Sequence, residues 1–337
     1  MRRAYVLLTV FILLAAYYVQ REHGDLDELI NTLVIRYQAI KNNSESELGP
    51  EMEATFTSYE LPTRDQRHLI SLLTEGKFIE LEQLYGQYYS QFSENVVYEG
   101  KIVDAYGIFD FEEHLFPKVE LWQHHFPESP HPRLAKGILY FHLGWKARGN
   151  KLSSNTLEEQ FKGMHHYFEL AEHEIRGTIA INPNLSPAYC KLLKIAAASG
   201  DREDKYYWYR EGIKQIPHSY HVRECYLEKL APKWGGSYEE IDNFVSRSIQ
   251  DHKENPRLLL LKALAGYIRA GGYRGDQLYE KALIEINESI SYVKRWNNYY
   301  KRTQVYMDLG ENQLALEDIN EALVARPGAF YLLVKKA

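Results

Sequence analysis

The chain has 337 residues, with 40 basic against 46 acidic side chains and a net charge of −6 when histidine is neutral. This balance argues against nucleic acid as a partner, because phosphate binding needs a broad basic footprint. A hydrophobic share of 45% allows a sizeable core, and the 27 tyrosines suit crowded helix interfaces, where the ring packs and the hydroxyl finds a hydrogen bond.

Arg2 and Arg3 precede an uncharged apolar run from Ala4 to Val19, closed by Gln20, Arg21 and Glu22. As a helix, residues 4–19 reach about 24 Å, which spans a bilayer if the flanking side chains extend to its interface. Residues 1–24 are therefore predicted to form a single-pass anchor in the inner membrane. The basic start and the acidic Asp25, Asp27 and Glu28 that follow place the body on the periplasmic side. The alternative is a signal peptide whose cleavage releases a periplasmic protein. Bulky Tyr17-Tyr18 and the absence of an A-x-A site favour retention.

Residues 25–40 predict an amphipathic helix. Leu26, Ile30, Leu33, Tyr37 and Ile40 line one seam as in a short coiled coil, so residues 26–40 either pair two copies beside the membrane or pack on the body. Residues 41–62 are polar and irregular and read as a linker. The body is expected to fall into residues 63–250, a degenerate helical-repeat domain, and residues 251–337, a C-terminal pair of clearer repeats.

Helical punctuation begins at Thr63, which with Gln66 forms a capping-box pattern ahead of Leu69, Ile70, Leu72 and Leu73. Further helices are predicted over residues 78–92, 119–125, 132–148, 158–181, 187–198 and 205–215. Ser186 is placed as a cap before Pro187, and Ser237 with Glu240 as a second capping box. No sustained two-residue alternation marks a strand. Cys190 and Cys225 lie 35 residues apart, near one helical-repeat period. Equivalent positions on stacked helices are roughly 8–10 Å apart, so two reduced, buried thiols are expected.

Residues 297–327 carry the sharpest pattern. Two helices meet at Leu309-Gly310-Glu311, with Tyr299, Tyr306, Ala315, Ile319, Ala322 and Pro327 at the packing positions of a 34-residue repeat. This segment resembles a tetratricopeptide repeat, with Thr303 where Gly or Ala is usual. Pro183 and Pro217, also 34 residues apart, bound a weaker unit. In a third unit, around Ala263, Ala282 and Ile286, residues 271–275 (GGYRG) read as a lengthened turn and hence a candidate binding loop. The resemblance implies an all-α fold: a right-handed superhelical solenoid of helix hairpins behind the N-terminal anchor.

A second resemblance covers about residues 65–250. Trp122 with Pro127 and Ser129, then residues 144–149 (GWKARG), then residues 230–236 (LAPKWGG) are similar to W-x-x-x-x-P-x-S, A-W-x-x-R-G and L-x-P-x-W-G-G in an uncharacterised bacterial family of unknown function. Gly144 stands where that family usually has Ala. The resemblance implies tetratricopeptide-like helices and assigns no activity.

No P-loop, G-x-S-x-G, G-x-G-x-x-G or C-x-x-C motif occurs, so neither catalysis nor a cofactor is expected. His165, Glu169 and His173 share one helical stripe and are the candidate metal ligands, although an i to i+8 spacing lets only two of the three meet one ion. His124, His125 and His131 read as solvated members of a Pro-rich turn. Trp145 with Arg148, together with Trp234 and Tyr273, are the candidate partner-binding residues. The predicted function is a membrane-anchored scaffold binding protein or peptide in a helical groove. The alternative is an envelope enzyme or metal-binding protein using the His165–His173 region or a Trp145/Arg148 pocket.

Overall fold

The structure is a computed structural model that describes residues 63–325 apart from 111 and 201. The predicted anchor, the amphipathic helix and the linker lie outside these residues. Among the described residues there is no strand, and no helix is long and apolar enough to cross a membrane.

Fourteen α-helices occur among the described residues: α1 (Arg64–Glu75), α2 (Phe78–Glu94), α3 (Glu99–Tyr106), α4 (Phe116–His125), α5 (Pro130–Arg148), α6 (Glu158–Ile181), α7 (Ser186–Ser199), α8 (Arg202–Gln215), α9 (Tyr220–Glu228), α10 (Tyr238–Ser248), α11 (Leu260–Gly275), α12 (Tyr279–Tyr292), α13 (Trp296–Leu309) and α14 (Asn312–Ala325). Helices α5 and α6, α7 and α8, α11 and α12, and α13 and α14 pack as consecutive pairs. The first members α7, α11 and α13, together with α9, also touch in chain order, α7 on α9, α9 on α11, and α11 on α13. Helices α7, α9, α11 and α13 thus form a row of first helices, with α8, α12 and α14 beside it.

Local sequence sets the boundaries. The Thr63 hydroxyl accepts from the Gln66 amide at 3.2 Å, and the Gln66 side chain accepts from the Thr63 amide at 3.0 Å, the reciprocal capping box expected of that pair. Gly76, Gly200 and Gly310 end α1, α7 and α13 at φ of 75°, 78° and 77°, a left-handed turn that a side chain would strain. The other two caps differ from expectation. Ser186 is itself the first residue of α7, and its buried hydroxyl has no hydrogen-bond partner. Ser237 accepts from the Glu240 amide at 3.1 Å, but the Glu240 carboxylate turns away to Arg202 at 2.6 Å instead of closing the box.

Residues 271–275 correct a second expectation, since they continue α11 as helix and form no loop. Arg274 is drawn to Asp308 of α13 at 2.6 Å, and the Tyr273 ring lies 5.0 Å from that of Tyr238, contacts that reward the extra helical turn. Reversal comes at Gln277, whose φ is 60°. Thr303 is fully buried, and its hydroxyl donates to the Ala315 carbonyl at 3.4 Å, so α14 accommodates it at the close contact. At Gly144 an added Cβ would sit 2.6 Å from two carbons of the Phe168 ring, which explains why this chain carries Gly at that position.

Cys190 on α7 and Cys225 on α9 form a disulfide, contrary to the expected free thiols. The spacing argument took the average separation of stacked helices. Here the two residues lie at the point of contact, with Cα atoms 5.6 Å apart, within the reach of a disulfide.

The core falls into three apolar clusters, running from Leu69 to Cys225, from Tyr220 to Val293 and from Ala270 to Leu323. A buried polar joint ties the first to the second. Glu99 on α3 is 1% exposed, and its carboxylate accepts from the Ser219 hydroxyl, from the Tyr220 amide at 2.9 Å and from the His221 amide at 3.0 Å. Ser219 in turn accepts from the Val222 amide at 3.0 Å. The start of α9, where helix amides lack internal partners and favour negative charge, is therefore capped by a residue 120 positions earlier. Nearby, Arg257 is 1% exposed, donates to the Val97 carbonyl at 3.3 Å and lies 5.3 Å from the Tyr220 ring.

Candidate functional site

Along the row of first helices the notable side chains are lysines. Lys229, just past α9, places its Nζ 4.3 Å from the centre of the Trp234 ring, and Lys233 approaches the same ring at 5.8 Å. Lys301 on α13 places its Nζ 4.7 Å from the ring centre of Tyr267 on α11. Lys205, reaching in from α8, donates to the carbonyls of Lys229 at 3.0 Å and Trp234 at 3.2 Å and so fixes the corner that carries both. In that corner, Gly236 passes so close to Leu230 that a Cβ would meet its carbonyl oxygen at 2.0 Å.

The electrostatics set these lysines apart. Burial brings Lys229 down to about 8; Glu228 partly restores its charge, while Lys194, Lys233 and Lys205 lower it further. Lys301 is likewise brought down to about 8 by burial, with Arg274 and Lys233 adding repulsion. Lys233 is therefore felt by both lysines and links the two ring contacts into one basic, aromatic surface. Neither Lys229 nor Lys301 has a carboxylate within ion-pair distance among the described residues, whereas Lys191, Arg269, Arg274 and Arg302 on the same row of helices do. A cation over an aromatic face gains roughly 0.5–2 kcal/mol, which offsets part of the desolvation and leaves the charge available. Chemically, the surface can pair with anions and stack on planar or apolar groups.

The other candidates are placed as follows. Trp234 belongs to the lysine surface. Tyr273 packs on Tyr238 and lies 5.7 Å from Lys281. The Trp145 ring packs against Phe141 and Phe168 at 6.3 and 5.7 Å, while the Arg148 guanidinium donates to the carbonyls of Gly149 and Lys151 at 3.0 and 2.7 Å. Arg148 thus braces the loop after its own helix, and the two side chains build no common pocket. His165, Glu169 and His173 are exposed on α6. Among the described residues, the group that does bring three such ligand types within 4.8 Å is Cys190, His221 and Cys225, and there the sulfurs are spent in the disulfide. The expectation for His131 is corrected: it is 7% exposed at the start of α5, with its Nδ1 2.8 Å from the Tyr106 hydroxyl, and burial lowers it to about 4.

A cavity of about 450 Å³ lies between α1 and α3, lined by residues that include Tyr88, Tyr98, Lys101, Asp104 and Arg257. Burial raises the Asp104 carboxyl to about 7 against the pull of Arg257. Thr63 and Arg64, the first described residues, form part of its wall.

Sequence reasoning missed Lys194, Lys229 and Lys301. A lysine in an amphipathic helix ordinarily reads as solvent-facing, and only the row of first helices shows that these three share a surface.

No curated protein matches this chain. Among solved structures, the crystal structure of the APC/C hetero-tetramer Cut9-Hcn1 is similar at 15% identity and a TM-score of 0.37, over 80% of this chain and 54% of that one. This chain spans about half the length of that protein. The family model described as a domain of unknown function (DUF4034) matches residues 65–200 and 158–264, together more than half of the sequence. The chain belongs to the DUF4034 family.

Proposed function

We propose that this protein is a membrane-tethered helical-repeat scaffold that holds a protein or peptide partner on the outer side of the inner membrane and performs no chemistry on it. The body is read as a right-handed, tetratricopeptide-like superhelix whose first helices, α7, α9, α11 and α13, line the working groove. Residues 4–19 anchor it, and residues 26–40 pair copies beside the membrane. The observation that carries the reading is Trp234, in the turn after α9, and Tyr267 on α11 set beside Lys229 and Lys301, which have no carboxylate within ion-pair distance among the described residues. Groove recognition of an extended segment or helix uses this kind of side-chain ladder. The Cys190–Cys225 disulfide supports a location outside the cytoplasm, since such bonds persist mainly in oxidising compartments.

The test is site-specific photocrosslinking in intact cells. A photoreactive phenylalanine replacing Tyr267 in the groove should give a discrete membrane-associated adduct. The same group replacing Ile284, exposed on the second helix α12, should not. Adducts of equal yield from both positions, or from neither, would contradict groove binding.

A further inference from the structure

We propose that the groove selects an acidic peptide segment of its partner, whose carboxylates pair with Lys229, Lys233 and Lys301 while the segment lies across the rings of Trp234 and Tyr267. The inference rests on the groove-binding reading and names the chemistry of the ligand.

Charge is the first argument. The protein as a whole carries −6, yet this surface sets Lys194, Lys205 and Lys233 close enough to oppose Lys229, with Glu228 as the opposing charge beside it. Several other cations on these helices are matched within the chain. Lys191 meets Asp110 at 2.8 Å, Arg274 meets Asp308 at 2.6 Å, and Arg302 meets Asp318 at 2.7 Å. Lys229 and Lys301, set on aromatic rings with no carboxylate within ion-pair distance among the described residues, are two positions for an external anion. Half-burial then makes a carboxylate more valuable, because the attraction acts in a medium less polar than water.

Geometry is the second argument. The cations are spread from the end of α9 to the middle of α13, Lys229 and Lys233 beside Trp234 and Lys301 beside Tyr267, so a run of separated carboxylates fits better than one compact anion. Polyphosphate is disfavoured because the whole-protein charge repels it and the basic area is local. A peptide with spaced Glu or Asp side chains carries lower charge density and offers backbone and apolar groups to Trp234 and Tyr267.

The test uses the full-length protein in neutral detergent and the fluorescence anisotropy of labelled short peptides. Alternating Glu-Ala is compared with alternating Gln-Ala and Lys-Ala, and an unlabelled oligothymidylate serves as competitor. The Glu-Ala peptide should bind most tightly and weaken steeply with added salt. Lys229→Met with Lys301→Met should weaken it roughly tenfold or more, the scale of losing one or two charge-assisted contacts. Lys229→Glu with Lys301→Glu should transfer preference to the Lys-Ala peptide, a gain that misfolding cannot produce. Equal binding of the Gln-Ala peptide would overturn the acidic choice while leaving groove binding intact. Displacement by oligothymidylate at lower concentration than by Glu-Ala would overturn it in favour of nucleic acid. Failure of every peptide to bind would overturn the inference, and the crosslinking result from Tyr267 would then decide the groove reading separately.

Discussion

Two parts of this molecule bury charge in opposite ways. At the joint between the first two core clusters, Glu99 satisfies the Ser219 hydroxyl and the first amides of α9, and Arg257 is enclosed beside Tyr220. On the lysine surface, Lys229 and Lys301 are also withdrawn from water, yet they face rings and other cations. Burial costs both regions desolvation; the joint recovers it through hydrogen bonds, whereas Lys229 and Lys301 recover part of it over aromatic rings and have no carboxylate within ion-pair distance among the described residues. On the proposed reading, the charges paired at the joint build the fold and Lys229 and Lys301 serve a ligand.

The comparison breaks first at Glu99. Glu99→Ala would leave three donors buried without an acceptor and uncap α9, so unfolding in urea should show a loss of about 3–5 kcal/mol. A loss under about 1 kcal/mol would mean that water replaces the carboxylate and that the joint is not a structural element.

The disulfide sharpens the same side of the comparison, because it fastens α7 to the helix that Glu99 caps. Closing a loop of 35 residues is worth about 3–4 kcal/mol in the chain-entropy account. Cys190→Ser with Cys225→Ser should therefore lower the stability of the non-reduced protein by that order and leave the reduced protein little changed. Equal stability of wild type with and without a reducing agent would show that the bond contributes nothing.

The sequence made these two regions unequally legible. Helix starts and stops carry local signals, and Thr63-Gln66, Gly76, Gly200 and Gly310 act as their residue types suggest. Helices α3 and α9 were missed because they are short and their ends are satisfied from afar; nothing near Glu99 announces a partner at Ser219. The 271–275 stretch misled because two adjacent glycines usually break a helix, and only Asp308 and Tyr238 show why this one continues. Trp234 could be singled out for its residue type, but the lysines around it could not, since their proximity depends on how α9, α11 and α13 stack. The basic and apolar signals of residues 1–24 fall outside the described residues.

The claim that the groove lysines serve a ligand and not the fold is tested most directly by measuring stability and peptide binding on one variant, Lys229→Met with Lys301→Met. Both lysines titrate near 8 when folded against about 10.4 in an unfolded chain, so the folded state holds fewer protons than the unfolded state between these values. They therefore disfavour folding below about pH 8, and that penalty is relieved as pH rises towards about 10.4. The account predicts that the variant melts at pH 7 no lower than wild type, loses part of the rise in stability above pH 8, and binds the Glu-Ala peptide roughly tenfold more weakly. A melting temperature that falls together with binding would contradict it, because the lysines would then be holding the protein together.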